Sequence, residues 1–168
     1  MDPFQFMNDE TFDFGEIDQK FPNAKRQLEN KIFISHSGKD YKRIIGEIRP
    51  LLPDRFRDGG FCHNRRSGGA GDYKLLIRFA LRLCTRFMVV VSQNSIQNPW
   101  VKAEVNWAMG HYSAIISCRF DDADPTRIDP RLALADTALP NQPRIYDLDL
   151  TDMTDLPSRL SRALELAV

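Results

Sequence analysis

The sequence of 168 residues predicts an α/β fold: an open, mostly parallel sheet with helices on both faces. Short β-branched or aromatic runs alternate five times with segments whose apolar residues recur at helical spacing. One run, residues 87–91 (FMVVV), is apolar at every position, which is typical of a strand covered on both faces in a parallel sheet. In such sheets ligands bind beyond the carboxyl ends of the strands.

The first predicted elements follow Lys31. Residues 31–35 (KIFIS) form a buried strand that ends in the turn-forming sequence Ser-His-Ser-Gly. Residues 41–52 place isoleucine and leucine at helical spacing, and the following proline ends that helix. A short strand is predicted at residues 55–57, and five glycines predict a mobile loop over residues 58–72.

Two further helices flank the apolar strand. Residues 73–84 repeat apolar side chains on one face and form an amphipathic helix. Residues 92–98 form a polar loop, after which Pro99 suits the first position of a helix capped by Asn98 and running over residues 100–109.

The remaining chain completes the sheet. Residues 113–118 form a strand, and residues 121–143, rich in Asp and Pro, form a loop that can include one short helix. Residues 144–146 form the last strand and residues 156–167 a closing helix. The predicted domain therefore spans residues 31–168.

Residues 1–30 form an acidic, Phe-rich N-terminal extension without clear periodicity. Three interpretations stay open for it: a docking arm, a cap on the domain, or a helical preamble over residues 23–30. It carries seven acids and three bases, a net charge of −4. Residues 55–86 carry eight bases and two acids, a net charge of +6, which indicates either an anion site or an acidic partner surface; a solvated helix face with a basic loop would look the same.

Composition excludes several classes of protein. Lys plus Arg and Asp plus Glu both total 23, so nucleic acid is not an expected partner. No apolar run approaches the roughly 20 residues of a membrane span, and no signal peptide is evident, so no membrane partner is expected. Cys62, Cys84 and Cys118 are too few and too scattered for a disulfide framework or a zinc site, so we expect a reduced, cytoplasmic setting without a metal.

The sharpest constellation of polar residues is Ser-Gln-Asn-Ser at 92–95, followed by the helix that carries Trp100 and Glu104. These two side chains are four residues apart and share a helix face. A carboxylate behind an indole, near the carboxyl edge of a sheet, suits a sugar with an attached ring. Alternatively, Trp100 anchors the core and Glu104 is an ordinary surface residue.

Together, KIFISHSGKD, the Gly-rich loop and FMVVVSQNSIQNPWVKAEVNWAM make the sequence from Lys31 onward resemble a Toll/interleukin-1 receptor (TIR) domain of the bacterial kind. The resemblance implies a flavodoxin-like fold with a five-stranded sheet. It also implies one of two roles, because some TIR domains only assemble with others while some cleave NAD⁺.

In the NAD⁺-cleaving members, the catalytic glutamate lies on the helix after the third strand, where this sequence has Glu104. Their nucleotide site includes the loop after the first strand and a second loop, called the BB loop. The Gly-rich loop at residues 58–72 resembles the BB loop. The resemblance thus implies that the ligand-binding residues lie in these two loops: Ser35, His36, Ser37, Asp58, Arg65 and Arg66. Trp100 is a further candidate, from its position one helical turn before Glu104. His36 is expected to contact ligand rather than act as a base, since no carboxylate partner is identifiable. Trp100 either stacks on a ring or packs beneath the site.

The resemblance therefore implies an NAD⁺ nucleosidase that releases nicotinamide and ADP-ribose, or a cyclic ADP-ribose isomer, in bacterial antiphage signalling. NAD⁺ would be its substrate, and no cofactor is implied. Expected partners are further copies of the chain, through TIR–TIR contacts, and a separately encoded sensor or effector. The alternatives are a non-catalytic adaptor or virulence module, and a nucleoside deoxyribosyltransferase-like enzyme.

Overall fold

A computed structural model describes residues 2–9, 11, 13–23, 26, 28, 31–57, 60–61, 70–134 and 140–167. Two short helices, α1 (Pro3–Asn8) and α2 (Phe14–Lys20), precede the first strand. No helix in the described ranges is both long and apolar enough to cross a membrane.

A parallel sheet forms the centre of the molecule, with strand order β2-β1-β3-β4-β5. The outermost strand β2 is only two residues long. This arrangement confirms the predicted α/β class with its parallel sheet. The strands are β1 (Ile32–Ser35), β2 (Gly60–Phe61), β3 (Arg86–Val91), β4 (Ala114–Arg119) and β5 (Arg144–Asp149).

Helices cover both faces, as predicted. They are α3 (residues 38–51, a helical run that opens with a 3₁₀ turn and contains one wide turn, Ile44–Ile48), α4 (Asp54–Arg57), α5 (Ala70–Leu83), α6 (Pro99–His111) and α7 (Leu156–Leu166). Successive strand side chains point to opposite faces. Phe33, Phe87 and Val89 therefore pack with α5 and α6, while Ile34 and Met88 pack with α3 and α7.

The sheet has a topological switch point between β1 and β3. The strand that follows β1 in sequence, β2, pairs with one side of β1, and the next strand, β3, pairs with its other side. The helices that follow these two strands consequently pack on opposite faces of the sheet: α3 follows β1 and α6 follows β3. The carboxyl edge at this switch point is where a parallel sheet of this order offers a ligand site.

The structure corrects the region around the predicted strand at residues 55–57. Those residues belong to the helix Asp54–Arg57, and the strand that pairs with β1 is Gly60–Phe61. The next helix begins at Ala70, before the predicted residue 73. Of the predicted mobile loop, residues 58–59 and 62–69 lie outside the described part of the chain.

The N-terminal extension packs on the domain. Helix α1 lies against α6, and Met7 is completely buried in the core on that face of the sheet. Two arginines of α5 hold the end of α1: Arg78 donates to the Asp9 carbonyl at 2.7 Å and Arg82 to the Met7 carbonyl at 3.1 Å. Cations suit a helix C-terminus because its last carbonyls lack partners within the helix. Among the three interpretations of residues 1–30, these contacts are those of a cap.

We expect Met7→Ala to lower the free energy of unfolding by about 2–5 kcal/mol, the usual range for emptying a buried methionine site. Met153, which is 66% exposed, provides a matched control, and Met153→Ala is expected to change stability by less than about 0.5 kcal/mol. Urea unfolding of both variants measures the difference. Equal, small effects would mean that the extension is not part of the cooperative fold.

Candidate active site

Ser35 and Glu104 meet at the switch point. Ser35 is the last residue of β1 and shares the sheet face of Phe33, which α6 covers. Glu104 lies in the middle of α6. The Ser35 hydroxyl donates a hydrogen bond to Glu104 Oε2 at 2.5 Å, across 69 positions of sequence.

The Glu104 carboxyl is almost completely removed from water. The residue is 6% exposed and Ser35 is 1% exposed. Burial raises the pKa of Glu104 to about 7, and the Ser35 hydroxyl, which favours the ionised form, opposes that rise. Glu104 therefore changes charge near neutral pH. Within the described part of the chain, Ser35 is the donor that reaches this carboxylate, and it takes Oε2.

The residues after β1 form an ordered turn. Ser37 is buried and caps the turn Gly38–Asp40, accepting from the Lys39 N–H at 3.4 Å. His36 is half-buried, and its Nδ1 lies 2.8 Å from the Ile34 carbonyl. Since a carbonyl oxygen only accepts, this contact assigns the Nδ1 proton and orients the ring.

A second buried carboxylate, Asp40, lies in the turn after β1 and was missed by the sequence analysis. It accepts hydrogen bonds from Ser92 Oγ at 2.5 Å and from Asn94 Nδ2 at 2.7 Å. Ser92 and Asn94 follow β3, and Asp40 follows β1. Polar loops at the ends of two adjacent parallel strands are the one sequence signal that could have pointed to this contact.

Trp100 packs toward the N-terminal helix. Its ring makes an edge-to-face contact with Phe6, with 5.7 Å between the ring centroids, and Lys74 Nζ lies 5.0 Å from its centre. The indole is half-buried, one helical turn from Glu104. The structure thus brings Ser35 and Glu104 together and places Trp100 beside the cap.

The candidate residues of the BB loop, Asp58, Arg65 and Arg66, lie outside the described residues. Their predicted part in a nucleotide site stays a prediction. The described side of the site consists of the turn after β1, the loop after β3, and helix α6.

Comparison with protein families matches the model of the TIR domain to residues 32–163, more than half of the chain. The chain belongs to the TIR-domain family. A comparison with curated proteins found no match. The match covers β1 through most of α7 and includes every element that builds the site around Ser35 and Glu104. The TIR family contains both NAD⁺-cleaving enzymes and assembly modules, so membership alone leaves these two roles open.

In this TIR domain, Glu104→Gln is expected to raise the free energy of unfolding above that of the wild type at pH 8. At pH 5 the gain over the wild type should be much smaller. The unfolded carboxyl ionises near 4.5, whereas the folded one holds its proton up to about 7, so the free energy of unfolding falls as pH rises between these values. The gap corresponds to roughly 3 kcal/mol. Glutamine stays neutral and avoids this loss.

Urea unfolding at the two pH values measures the effect. The exposed Glu165 on α7 supplies the control, since Glu165→Gln makes the same chemical change without altering a buried carboxyl. A gain from Glu104→Gln that is the same at pH 5 and pH 8 would contradict the buried titration.

Proposed function

We propose that this TIR domain cleaves the bond between nicotinamide and ribose in NAD⁺, with Glu104 as the catalytic residue. The observation that carries the proposal is the carboxyl of Glu104, buried and hydrogen-bonded to Ser35 at the switch point, the position where sheets of this order bind ligands. A carboxyl that serves only to keep the surface soluble would be exposed to water, whereas Glu104 is buried. A buried acid whose pKa is shifted by desolvation and by one specific partner is a candidate functional residue.

The chemistry requires one well-placed negative charge. Nicotinamide in NAD⁺ carries a positive charge, so when the C1′–N bond breaks, the electron pair moves to the ring nitrogen and a neutral molecule leaves. No general acid is needed. The positive charge then resides on the ribose as an oxocarbenium-like centre, which a carboxylate stabilises. Water adds at C1′ and loses a proton, which yields ADP-ribose.

Ser35 is proposed to orient this carboxylate. Its hydroxyl donates to Oε2. In this proposal the other oxygen of the carboxylate, Oε1, faces the sugar. The same hydrogen bond favours the ionised form that the reaction needs. Ser35 thereby offsets part of the rise that burial causes in the pKa of Glu104.

The remaining candidate residues are assigned to the rest of the dinucleotide. Arg65 and Arg66, with the N–H groups of the neighbouring glycines, have the chemistry to bind pyrophosphate. Asp58, His36 and Ser37 are proposed to line the nucleotide site, and Trp100 to bound it on the side of the cap. If an adenine nitrogen or a ribose hydroxyl of the same molecule reaches C1′ before water, the product is a cyclic ADP-ribose isomer.

We further propose that the protein acts as an oligomer through TIR–TIR contacts in cytoplasmic antiphage signalling, with a separately encoded sensor or effector. The contrasting role is a non-catalytic assembly module. The structure favours no specific surface for that role, and part of the basic stretch, Arg78 and Arg82, already contacts the N-terminal segment of the same chain.

Glu104→Gln is expected to lower the rate of nicotinamide release from NAD⁺ by roughly 100-fold or more, because the negative charge that stabilises the transition state is lost. Chromatography of products from concentrated protein, with and without a crowding agent, measures the rate and identifies the products. Glu165→Gln is the matched control and should keep the wild-type rate. An unchanged rate in Glu104→Gln would remove Glu104 from its assigned role; inactive wild-type protein under all these conditions would favour the assembly module.

The reaction should also depend on pH through Glu104. We expect kcat/KM of the wild type to rise with pH around a midpoint near 7, as the carboxyl ionises. Ser35→Ala removes the donor that lowers the pKa of Glu104, so the midpoint should move to higher pH. Ser35→Thr keeps a hydroxyl and should return it toward the wild-type value. A midpoint that Ser35→Ala leaves in place would mean that the hydrogen bond does not act on the reacting carboxylate.

A further inference from the structure

Asp40 is a buried carboxylate in the first turn after β1. It is 4% exposed, and its backbone N–H donates to the Ser37 carbonyl at 2.9 Å. Its two oxygens accept from two different side chains, Ser92 Oγ at 2.5 Å and Asn94 Nδ2 at 2.7 Å. Asp40 thus joins the connection after β1 to the connection after β3, on both sides of the switch point.

The loop that Asp40 holds leads directly into α6. Within it, the Ser92 N–H donates to Ser95 Oγ at 2.7 Å and the Ser95 N–H donates to Ser92 Oγ at 3.0 Å, which locks a tight turn. The helix then starts at its cap, Asn98, which accepts from the Trp100 N–H. The path from Asp40 to Glu104 therefore runs through one hydrogen-bonded turn and one rigid helix.

The two connections could also be joined by an uncharged side chain in place of the Asp40 carboxylate. Both donors are neutral, and a neutral amide could accept from either of them. Burying an ionised group is unfavourable, while hydrogen bonds to a charged acceptor are shorter and about twice as strong as neutral ones. A carboxylate at this position therefore gives a stiffer connection between the two loops than an amide would.

We propose that Asp40 is a positioning residue, which clamps the β3–α6 loop to the turn after β1 and thereby keeps Glu104 in register with Ser35. This inference rests on the proposed function for its effect on catalysis, but its structural content is independent of that function. Asp40 acts through Ser92 and Asn94, and no contact between Asp40 and substrate is required. Its loss should therefore lower kcat and leave KM nearly unchanged.

The test exchanges donor and acceptor. In Asp40→Asn, an amide N–H₂ group faces the N–H₂ group of Asn94, so one of the two hydrogen bonds is lost. Adding Asn94→Asp restores the pair with its polarity reversed, while Ser92 still donates to the amide oxygen at position 40. We expect kcat for nicotinamide release to fall roughly 10- to 100-fold in Asp40→Asn and to return to within about 3-fold of wild type in the double variant.

A second readout does not need activity. The ¹³C resonance of the Glu104 carboxyl, assigned by its loss in Glu104→Gln, is titrated in each variant. In Asp40→Asn, separation of Ser35 and Glu104 removes a hydrogen bond that lowers the pKa of Glu104, but it also admits water to the carboxyl. Because burial is the larger cause of the shift, the pKa should fall toward the ordinary value of 4.5. The double variant should return it to the wild-type value.

Tyr112→Phe provides the matched control at the other end of α6. The Tyr112 hydroxyl donates to the Leu81 and Cys84 carbonyls at 2.6 and 3.0 Å, so this variant also loses buried hydrogen bonds beside the same helix. It should lower the free energy of unfolding without moving the pKa of Glu104 or kcat.

The outcomes separate the two proposals. A wild-type Glu104 pKa in folded Asp40→Asn would overturn the positioning role, whatever the activity. If Asp40→Asn does not fold, the double variant decides: a wild-type pKa supports the clamp, and a displaced pKa overturns it. If wild-type protein leaves NAD⁺ intact while the titrations behave as expected, the proposed reaction fails and the clamp stands.

Discussion

The hydrogen bond from Ser35 to Glu104 joins the last residue of a central strand to the middle of the helix that follows the neighbouring strand. It forms only if β1 ends where it does in the parallel register with β3, because a slip of one residue would turn Ser35 to the other face. Burial of the carboxyl makes the contact consequential. Without water, this single hydroxyl and the apolar surroundings together determine the charge of Glu104 near neutral pH.

The uneven charge of the chain finds a partial explanation in the N-terminal cap. Among the described residues, the basic stretch meets the acidic segment through backbone carbonyls, which Arg78 and Arg82 bind, and through the ring of Phe6, over which the Arg78 guanidinium lies at 4.9 Å. The Asp9 carboxylate adds one ion pair with Arg78, at 3.7 Å. The acidic partner surface that the net charge indicated is thus partly supplied by the same chain, and the described contacts use a helix end and an aromatic ring as well as charge.

Local signals in the sequence predicted local structure well. Asn98 and Pro99 marked the start of α6, and the apolar run at 87–91 marked a central strand. The strand predicted at residues 55–57 was wrong: Asp54 follows Pro53 and opens a helical turn there, while the strand itself contains a glycine that no propensity would select. The contacts of the site span 69 positions between Ser35 and Glu104 and 52 between Asp40 and Ser92. Periodicity carries no information over such separations. Family resemblance pointed to Glu104 and Ser35, while the only signal for the contact of Asp40 was the pair of polar loops after two adjacent strands.

Burial of Glu104 has opposite consequences for the stability of the fold and for the proposed reaction. For stability the ionised carboxylate is unfavourable, so above neutral pH the domain holds a buried charge with one hydroxyl as its described donor. A sugar that gains positive charge at C1′ would supply the missing counter-charge, and in surroundings of low polarity that attraction is stronger than it would be in water. The rigid placement that Asp40 and Ser35 provide then matters for energetic reasons, because a carboxylate free to turn toward solvent would be hydrated in the ground state and would lose the advantage. The hydrogen bonds of Ser35 and Asp40 thus hold the Glu104 carboxylate in a position without water, where its charge would otherwise be unfavourable.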